Sequence, residues 1–324
     1  NLLVVRQVSS TSRTPVVCGE TNSNDSYESQ LAFNATAGYT YLFEVSDAVG
    51  GGALSLKVEK PTCPTGELCG AVVGGDGRVV RYPRMNIIGS NSYGYGYGDY
   101  SGFIDGYLDS GGPGIYEIHT AGEGNLIVSQ NVSVPGYYAP SAVGLPRTLI
   151  YVRDTAGNEI ASDNISAYSP TLEIGWYIGG TQVGQPRAFY APASTFNFAA
   201  SNSNAGFEVY KPGFTIVSTS NPGTITLDAS ALAQDTFTFD LDGITNSFVS
   251  IYTPDSYGHY MKISSGRTLT FAAPAGTQIP WIDFEFYEND TSGLTWYYYM
   301  ALDNNIPIQG GYDHSYQAGG TLGV

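Results

Sequence analysis

The chain has 324 residues, a formal charge of −16 and 13% charged residues, about half the usual ~25%. It lacks the clustered Lys and Arg that a phosphate backbone requires, which excludes nucleic acid as a partner and disfavours an anionic membrane surface. Its length exceeds what one core usually serves, so two or three domains are expected, and no run of about 18 apolar residues offers a transmembrane span.

Polarity is carried instead by Ser, Thr, Asn, Gln and 26 tyrosines, on a backbone with 41 glycines and four lysines (Lys57, Lys60, Lys211 and Lys262). That composition suits a secreted or cell-surface protein. The chain opens on Asn1, from which we expect a leader removed during export.

Residues 1–8, Asn-Leu-Leu-Val-Val-Arg-Gln-Val, read as a strand. Leu2, Val4 and Val8 fall on one face, Leu3 and Val5 on the other, as in a strand covered on both sides. The polar run Ser9–Pro15 follows like a tether, so residues 1–12 are expected to form an extension that completes a sheet, either its own or a neighbour's. A loop at Asn22, Asn24, Asp25 and Glu28 clusters oxygen ligands of the kind that hold calcium, as do Asp240 and Asp242 further on. No EF-hand spacing is present.

Tyr39–Val45 and Ala53–Glu59 read as strands joined across Gly50-Gly51-Gly52. Three cysteines follow the pattern of one structural bridge and one spare thiol. Cys63 and Cys69, with Pro64 and Gly66 between them, are one pairing; Cys18 with either of them is another. Gly74-Gly75-Asp76-Gly77 is a hairpin turn. Arg78–Tyr82, Met85–Ile88, Ile115–His119 and Asn125–Ser129 continue the strands. The tract Ser92–Gly102, with alternating Tyr and Gly, reads as a flexible loop whose rings offer adaptable contact area.

The Pro- and Tyr-rich stretch Val134–Pro146 marks the expected boundary between a sandwich domain at 13–135 and one or two more at 146–324. Beyond it, Thr148–Ile160 is a hairpin around Asp154-Thr155-Ala156-Gly157-Asn158, a turn that resembles those of bacterial Ig-like modules. Further alternating runs extend to Leu302. The fold class expected is therefore all-β: two or three β-sandwich or jelly-roll-like domains with an N-terminal strand extension.

Sequons at Asn34, Asn131, Asn164 and Asn289 suit an exported glycoprotein. His119, His259 and His314 show no metal-binding or triad spacing. Trp281-Ile-Asp-Phe-Glu-Phe286 resembles the Glu-x-Asp-x-Glu strand of laminarinase-type glycoside hydrolases. That resemblance aligns Asp283 and Glu285 with the family's later acids, but Trp281 stands at the nucleophile position, and retaining hydrolysis needs two carboxyl groups. An ordinary strand with its acids outward is expected here, no enzymatic activity, and no cofactor beyond structural calcium.

In design, an apolar N-terminal strand on a tether before all-β domains resembles archaeal and bacterial extracellular filament or pilus-like subunits that assemble by donor-strand complementation. The resemblance implies that Leu2, Leu3, Val4, Val5 and Val8 fill a groove in an adjacent copy, giving a homopolymeric filament, pilus-like thread or surface layer. A secreted adhesin or carbohydrate-binding protein, using tyrosines against glycans or other cell-surface material, is the alternative expectation.

Overall fold

A computed structural model describes residues 2–8, 13–20, 31–46, 56–217, 223–240, 247–255, 258–263, 267–289 and 295–317, with backbone only at 2–8, 13–14, 19–20, 46, 247, 258–263, 286–289, 295–304 and 317. The strands of the first part are β1 (Leu2–Val8), β2 (Arg13–Glu20), β3 (Thr40–Ser46), β4 (Leu68–Ala71), β5 (Arg84–Gly89), β6 (Ser92–Gly98), β7 (Phe103–Leu108), β8 (Gly114–Gly122), β9 (Asn125–Val134) and β10 (Gly136–Tyr138). There follow β11 (Arg147–Arg153), β12 (Asn164–Ser169), β13 (Ile174–Tyr177), β14 (Arg187–Tyr190), β15 (Ser194–Asn202), β16 (Phe207–Ile216) and β17 (Gly223–Asp228). The last are β18 (Ala233–Asp240), β19 (Ser247–Tyr252), β20 (Gly258–Ile263), β21 (Arg267–Ala273), β22 (Gln278–Asn289), β23 (Thr295–Pro307) and β24 (Asp313–Gln317). The fold is all-β; a single 3-10 turn, Ala229–Ala231, is the helical segment among the described residues.

The chain divides into two compact units. Unit 1 comprises Asn1–Arg147, Tyr190–Ala193 and Val217–Asn221; unit 2 comprises Thr148–Phe189, Ser194–Ile216 and Pro222–Val324. The stretch 134–146 is more than a connector, because β10 lies within it and pairs in parallel with β4, Gly136↔Leu68 through Tyr138↔Gly70. Its Tyr138 ring is buried with the unit 1 core, and its hydroxyl donates to Ser129 Oγ at 3.0 Å.

In unit 1 the strands run in the order β10-β4-β7-β6-β5-β8-β9. Leu68, Met85, Ile87, Ile104, Ile118 and Ile127 point to one face and form its core with Val72, Val80, Tyr116, Val134, Tyr138 and Ala142. A separate sheet, β2-β1-β3, has β1 in the middle. Unit 2 has a seven-stranded sheet, β13-β12-β15-β16-β21-β18-β24, and a four-stranded sheet, β20-β19-β22-β23. Phe237, Phe239, Leu269 and Phe271 from the first meet Val249, Ile251, Ile282 and Phe284 from the second, all at 1% exposure or less. This is a sandwich, each sheet burying one face against the other.

Two sequence expectations give way here. Leu56 to Glu59 form no strand; Leu56 and Val58 are exposed, so the alternation there has no partner face to bury it. The Tyr/Gly tract is no loop: residues 92–98 are β6, an internal strand between β5 and β7. Glycine at every second position is what lets it sit there. A Cβ on Gly94 would lie 2.2 Å from the Tyr107 carbonyl oxygen, and one on Gly96 2.2 Å from that of Asp105.

Candidate functional site

Four places bear on function: the slot around β1, the tyrosine face over β6, the acid pair on β22, and the expected ligand, bridge and glycan positions. At the first, β1 is paired along its whole length on both sides. It runs antiparallel to β2, from Leu2↔Glu20 to Val8↔Arg13, and antiparallel to β3, from Leu2↔Ser46 to Val8↔Thr40. The backbone of Leu2, Leu3, Val4, Val5 and Val8 therefore completes a sheet within this chain.

The two strands that flank β1 also pack among other described residues. Val17 of β2 packs with Val73 and Val79, and Tyr41 and Phe43 of β3 pack against that cluster with Leu31 and Phe33. On its other edge β2 is tied to the 74–79 turn: Cys18 N–H donates to the Gly77 carbonyl at 3.1 Å, and Val79 N–H to the Cys18 carbonyl at 2.9 Å. The edges of β2 and β3 that face β1 form a strand-shaped slot, which β1 of this chain fills.

The second place follows from β6. With Gly94, Gly96 and Gly98 turned one way, Tyr93, Tyr95 and Tyr97 turn the other. Cross-strand register adds Tyr107 of β7 beside Tyr95, and Asn86 and Arg84 of β5 beside Tyr95 and Tyr97. Tyr95 and Tyr107 rings are 4.8 Å apart, Tyr95 and Tyr97 5.9 Å. The Tyr107 hydroxyl donates to that of Tyr95, and this bond pushes Tyr107 up to about 12. A hydrogen bond to Asp109 raises Tyr93. Arg84 lies 5.9 Å from the Tyr97 ring, and Lys60 Nζ 5.2 Å from the Tyr137 ring. Tyr93 and Tyr97 are more than half exposed. The result is a row of rings held in place by one another and edged by Asp105, Asp109 and Arg84.

At the third place, β22 turns Ile282 and Phe284 into the core, as the alternation requires, and Asp283 and Glu285 to the opposite face. The acids are not outward in the sense expected: they are 3% and 4% exposed. Opposite Asp283 stands the buried Ser250 of β19, and beside that Tyr252, whose ring lies 4.7 Å from Trp281.

Of the calcium ligands, Asn22, Asn24, Asp25, Glu28 and Asp242 lie outside the described residues, and Asp240 is exposed at the end of β18. Among the described residues no three His, Cys, Asp or Glu side chains group to hold a metal. Cys63 and Cys69 form a disulfide, while the Cys18 thiol points at the Gly77 carbonyl, 3.8 Å away. The Asn34 amide is used internally: its Nδ2 donates to the Ala71 carbonyl at 2.7 Å and its Oδ1 accepts from Ala71 N–H. Asn131 is exposed with φ +59° at the β9 bulge, Asn164 opens β12 half-buried, and Asn289 ends β22. No helix among the described residues is long and apolar enough to cross a membrane.

No protein-family model and no curated protein matches the chain. Solved structures do. The Bacillus anthracis TIE protein aligns at 14% identity and a TM-score of 0.20, over 78% of this chain and 50% of its own. A candidate adhesin from Bacteroides ovatus aligns at 8% and 0.20, over 48% and 82%. A streptococcal ancillary pilin aligns at 9% and 0.21, over 77% and 98%. This chain spans half the length of the first of these.

Proposed function

We propose that the chain is a non-enzymatic structural subunit of an extracellular filament, pilus-like thread or surface layer, and that it polymerises by passing β1 into the β2–β3 slot of a neighbouring copy. The observation that supports this is the central place of β1, hydrogen-bonded on both edges between two strands that also pack against other parts of unit 1. Exchange between identical copies replaces every contact of β1 with the same contact made in trans, so it demands no new chemistry. Repeated head to tail, the exchange does not close and gives a fibre. No cofactor enters this role; calcium at the oxygen-rich loops would serve only to brace it.

The test is direct. Deleting residues 1–8 opens the slot, and a synthetic peptide of residues 1–12 refills it. The truncated chain is expected to stay folded by circular dichroism, to bind the peptide, and to form no filaments by negative-stain microscopy where the full chain does. A truncated chain that unfolds outright, or one that stays folded and ignores the peptide, overturns the proposal.

A second reading rests on a different observation, the exposed tyrosine face over β6. Under it the protein is an adhesin that stacks those rings on the glycans of a cell surface. Binding on a glycan array that vanishes in Tyr95→Ala/Tyr97→Ala supports this reading, and binding untouched by that variant removes it.

A further inference from the structure

Tyr95 and Tyr107, at the centre of the tyrosine face, stand directly opposite each other across the antiparallel β6–β7 pair. Both strands are internal, β6 held on its far edge by β5 and β7 by β4. Glycine fixes their close approach beside the rings: a Cβ on Gly96, which pairs with Gly106, would strike the Asp105 carbonyl oxygen. The two ring centroids are 4.8 Å apart with planes inclined 59°, and the Tyr107 hydroxyl donates to that of Tyr95. That bond keeps the Tyr107 phenol protonated up to about 12, so near neutrality it is intact. Tyr107 is 42% exposed and Tyr95 half-buried, both open to an oxidant in solution. Other tyrosine pairs are less well placed: Tyr95–Tyr97 and Tyr82–Tyr100 lie 5.9 and 6.1 Å apart, edge to face.

We propose that Tyr95 and Tyr107 are a site of oxidative cross-linking, coupled to dityrosine by hydrogen peroxide and a haem peroxidase acting as one-electron oxidant. Each tyrosine gives up one electron and its phenolic proton. The resulting phenoxyl radical carries its spin on oxygen and on the ring carbons ortho and para to it, and the para carbon is blocked by the side chain. A carbon–carbon bond therefore forms between one ortho carbon of each ring. The hydrogens on those two carbons leave as protons while the two oxygens take protons up, which restores both hydroxyls. In all, two electrons and two protons pass to the oxidant, reducing one hydrogen peroxide to two waters. The product is a twisted biphenyl whose neighbouring hydroxyls bond to each other, close to the inclined, hydroxyl-bonded rings already present. Two reactants held near the product geometry couple faster than partners that must first meet. The new bond spans a sequence separation of 12 and ties β6 to β7, restricting the unfolded chain as a disulfide does. The site shares no residue with the β1 slot.

The experiment treats the full chain, at high dilution, with hydrogen peroxide and a haem peroxidase, cleaves it before its aspartates and weighs the fragments by mass spectrometry. Cleavage at Asp76, Asp99, Asp105 and Asp109 leaves Tyr95 in residues 76–98 and Tyr107 in residues 105–108. These two fragments are expected joined, two hydrogens lighter than their sum, from a chain that still runs as a monomer on a denaturing gel. The joined species should be lost in Tyr95→Phe and in Tyr107→Phe, which keep the ring and remove the hydroxyl, and should persist in Tyr97→Phe. Should one of the first two variants fail to fold by circular dichroism, the other carries the comparison. Free tyrosine coupled in a parallel reaction shows that the oxidant works. With that control positive, absence of the joined species from the wild type overturns the proposal. A joined species that survives Tyr95→Phe overturns it too, as does tyrosine coupling found only between chains.

Discussion

Gly96 gives the sharpest test of how unit 1 is built. It sits in β6 opposite Gly106 of β7 with its α-carbon turned to the buried side. A methyl group there would lie 2.2 Å from the Asp105 carbonyl oxygen and 2.7 Å from the Gly106 α-carbon, both backbone atoms. Backbone cannot rotate aside as a side chain does, so Gly96→Ala belongs at the upper end of the overpacking range, about 3 kcal/mol. Against this, alanine lowers the entropy of the unfolded chain and returns about 0.5–1 kcal/mol. The net loss is about 2 kcal/mol, which in a unit of this size lowers the melting temperature by about 4–8 °C. Gly112→Ala is the control. Nothing lies within 4 Å of its added methyl and its φ is not left-handed, so only the entropic gain remains. Its melting point should rise slightly. Calorimetry on both variants decides the matter. A Gly96→Ala protein that melts with or above the wild type would refute the close β6–β7 approach, and with it the outward row of tyrosines.

Three further outcomes follow from the described contacts. Asp235 is fully buried and accepts N–H bonds from Gln309, Gly310 and Tyr312 at 3.0, 2.7 and 3.2 Å, so Asp235→Ala should lower stability by about 3 kcal/mol or more in urea titrations, and Asp235→Asn by less. The backbone N–H of Asn158, helped by those of Ala156 and Gly157, holds the Asp154 carboxyl below its ordinary 3.8. A depressed acid lends stability above that value and loses it as pH falls through the folded value, so the stability advantage of wild type over Asp154→Ala should be constant near neutrality and shrink below pH 3.8. Replacing Cys63 and Cys69 with Ser opens a loop of sequence separation 6, for which chain entropy gives roughly 2 kcal/mol; a thermal melt that does not move would show the bridge to be idle.

Strand content was legible in the sequence because Val, Ile, Tyr and Phe alternate with polar residues between Gly, Pro, Asn and Asp. The turn at Asp154–Asn158 is the clearest instance, since an aspartate that accepts its own downstream N–H groups needs no tertiary help. What the pattern left out was decided by partners. Leu56 and Val58 alternate as a strand does, yet no described neighbour covers them. Ser92–Gly98 is the opposite case: its inward residues are glycines, so its alternation carries no hydrophobic signal, and only the close approach of β7 explains them. Asp283 and Glu285 alternate with core residues, which by itself points them to solvent. Their burial depends on what lies over that face of the sheet, which one strand's pattern does not report. The parallel pairings β16–β21 and β18–β24 join segments far apart in sequence and left no local trace.

The central claim is that β1 is shared between copies, and the register supplies a covalent reporter for it. Val4 lies opposite Cys18 in the β1–β2 pair, and directly opposed residues bring their β-carbons to about 4.5–5.5 Å. Val4→Cys therefore places a second thiol beside Cys18, whichever chain supplies that β2. After assembly and mild oxidation, a non-reducing gel should show a ladder of disulfide-linked multimers, absent when Cys18 is also changed to Ser. A single monomer band, with the introduced thiol bonded to Cys18 of its own chain, would contradict the account.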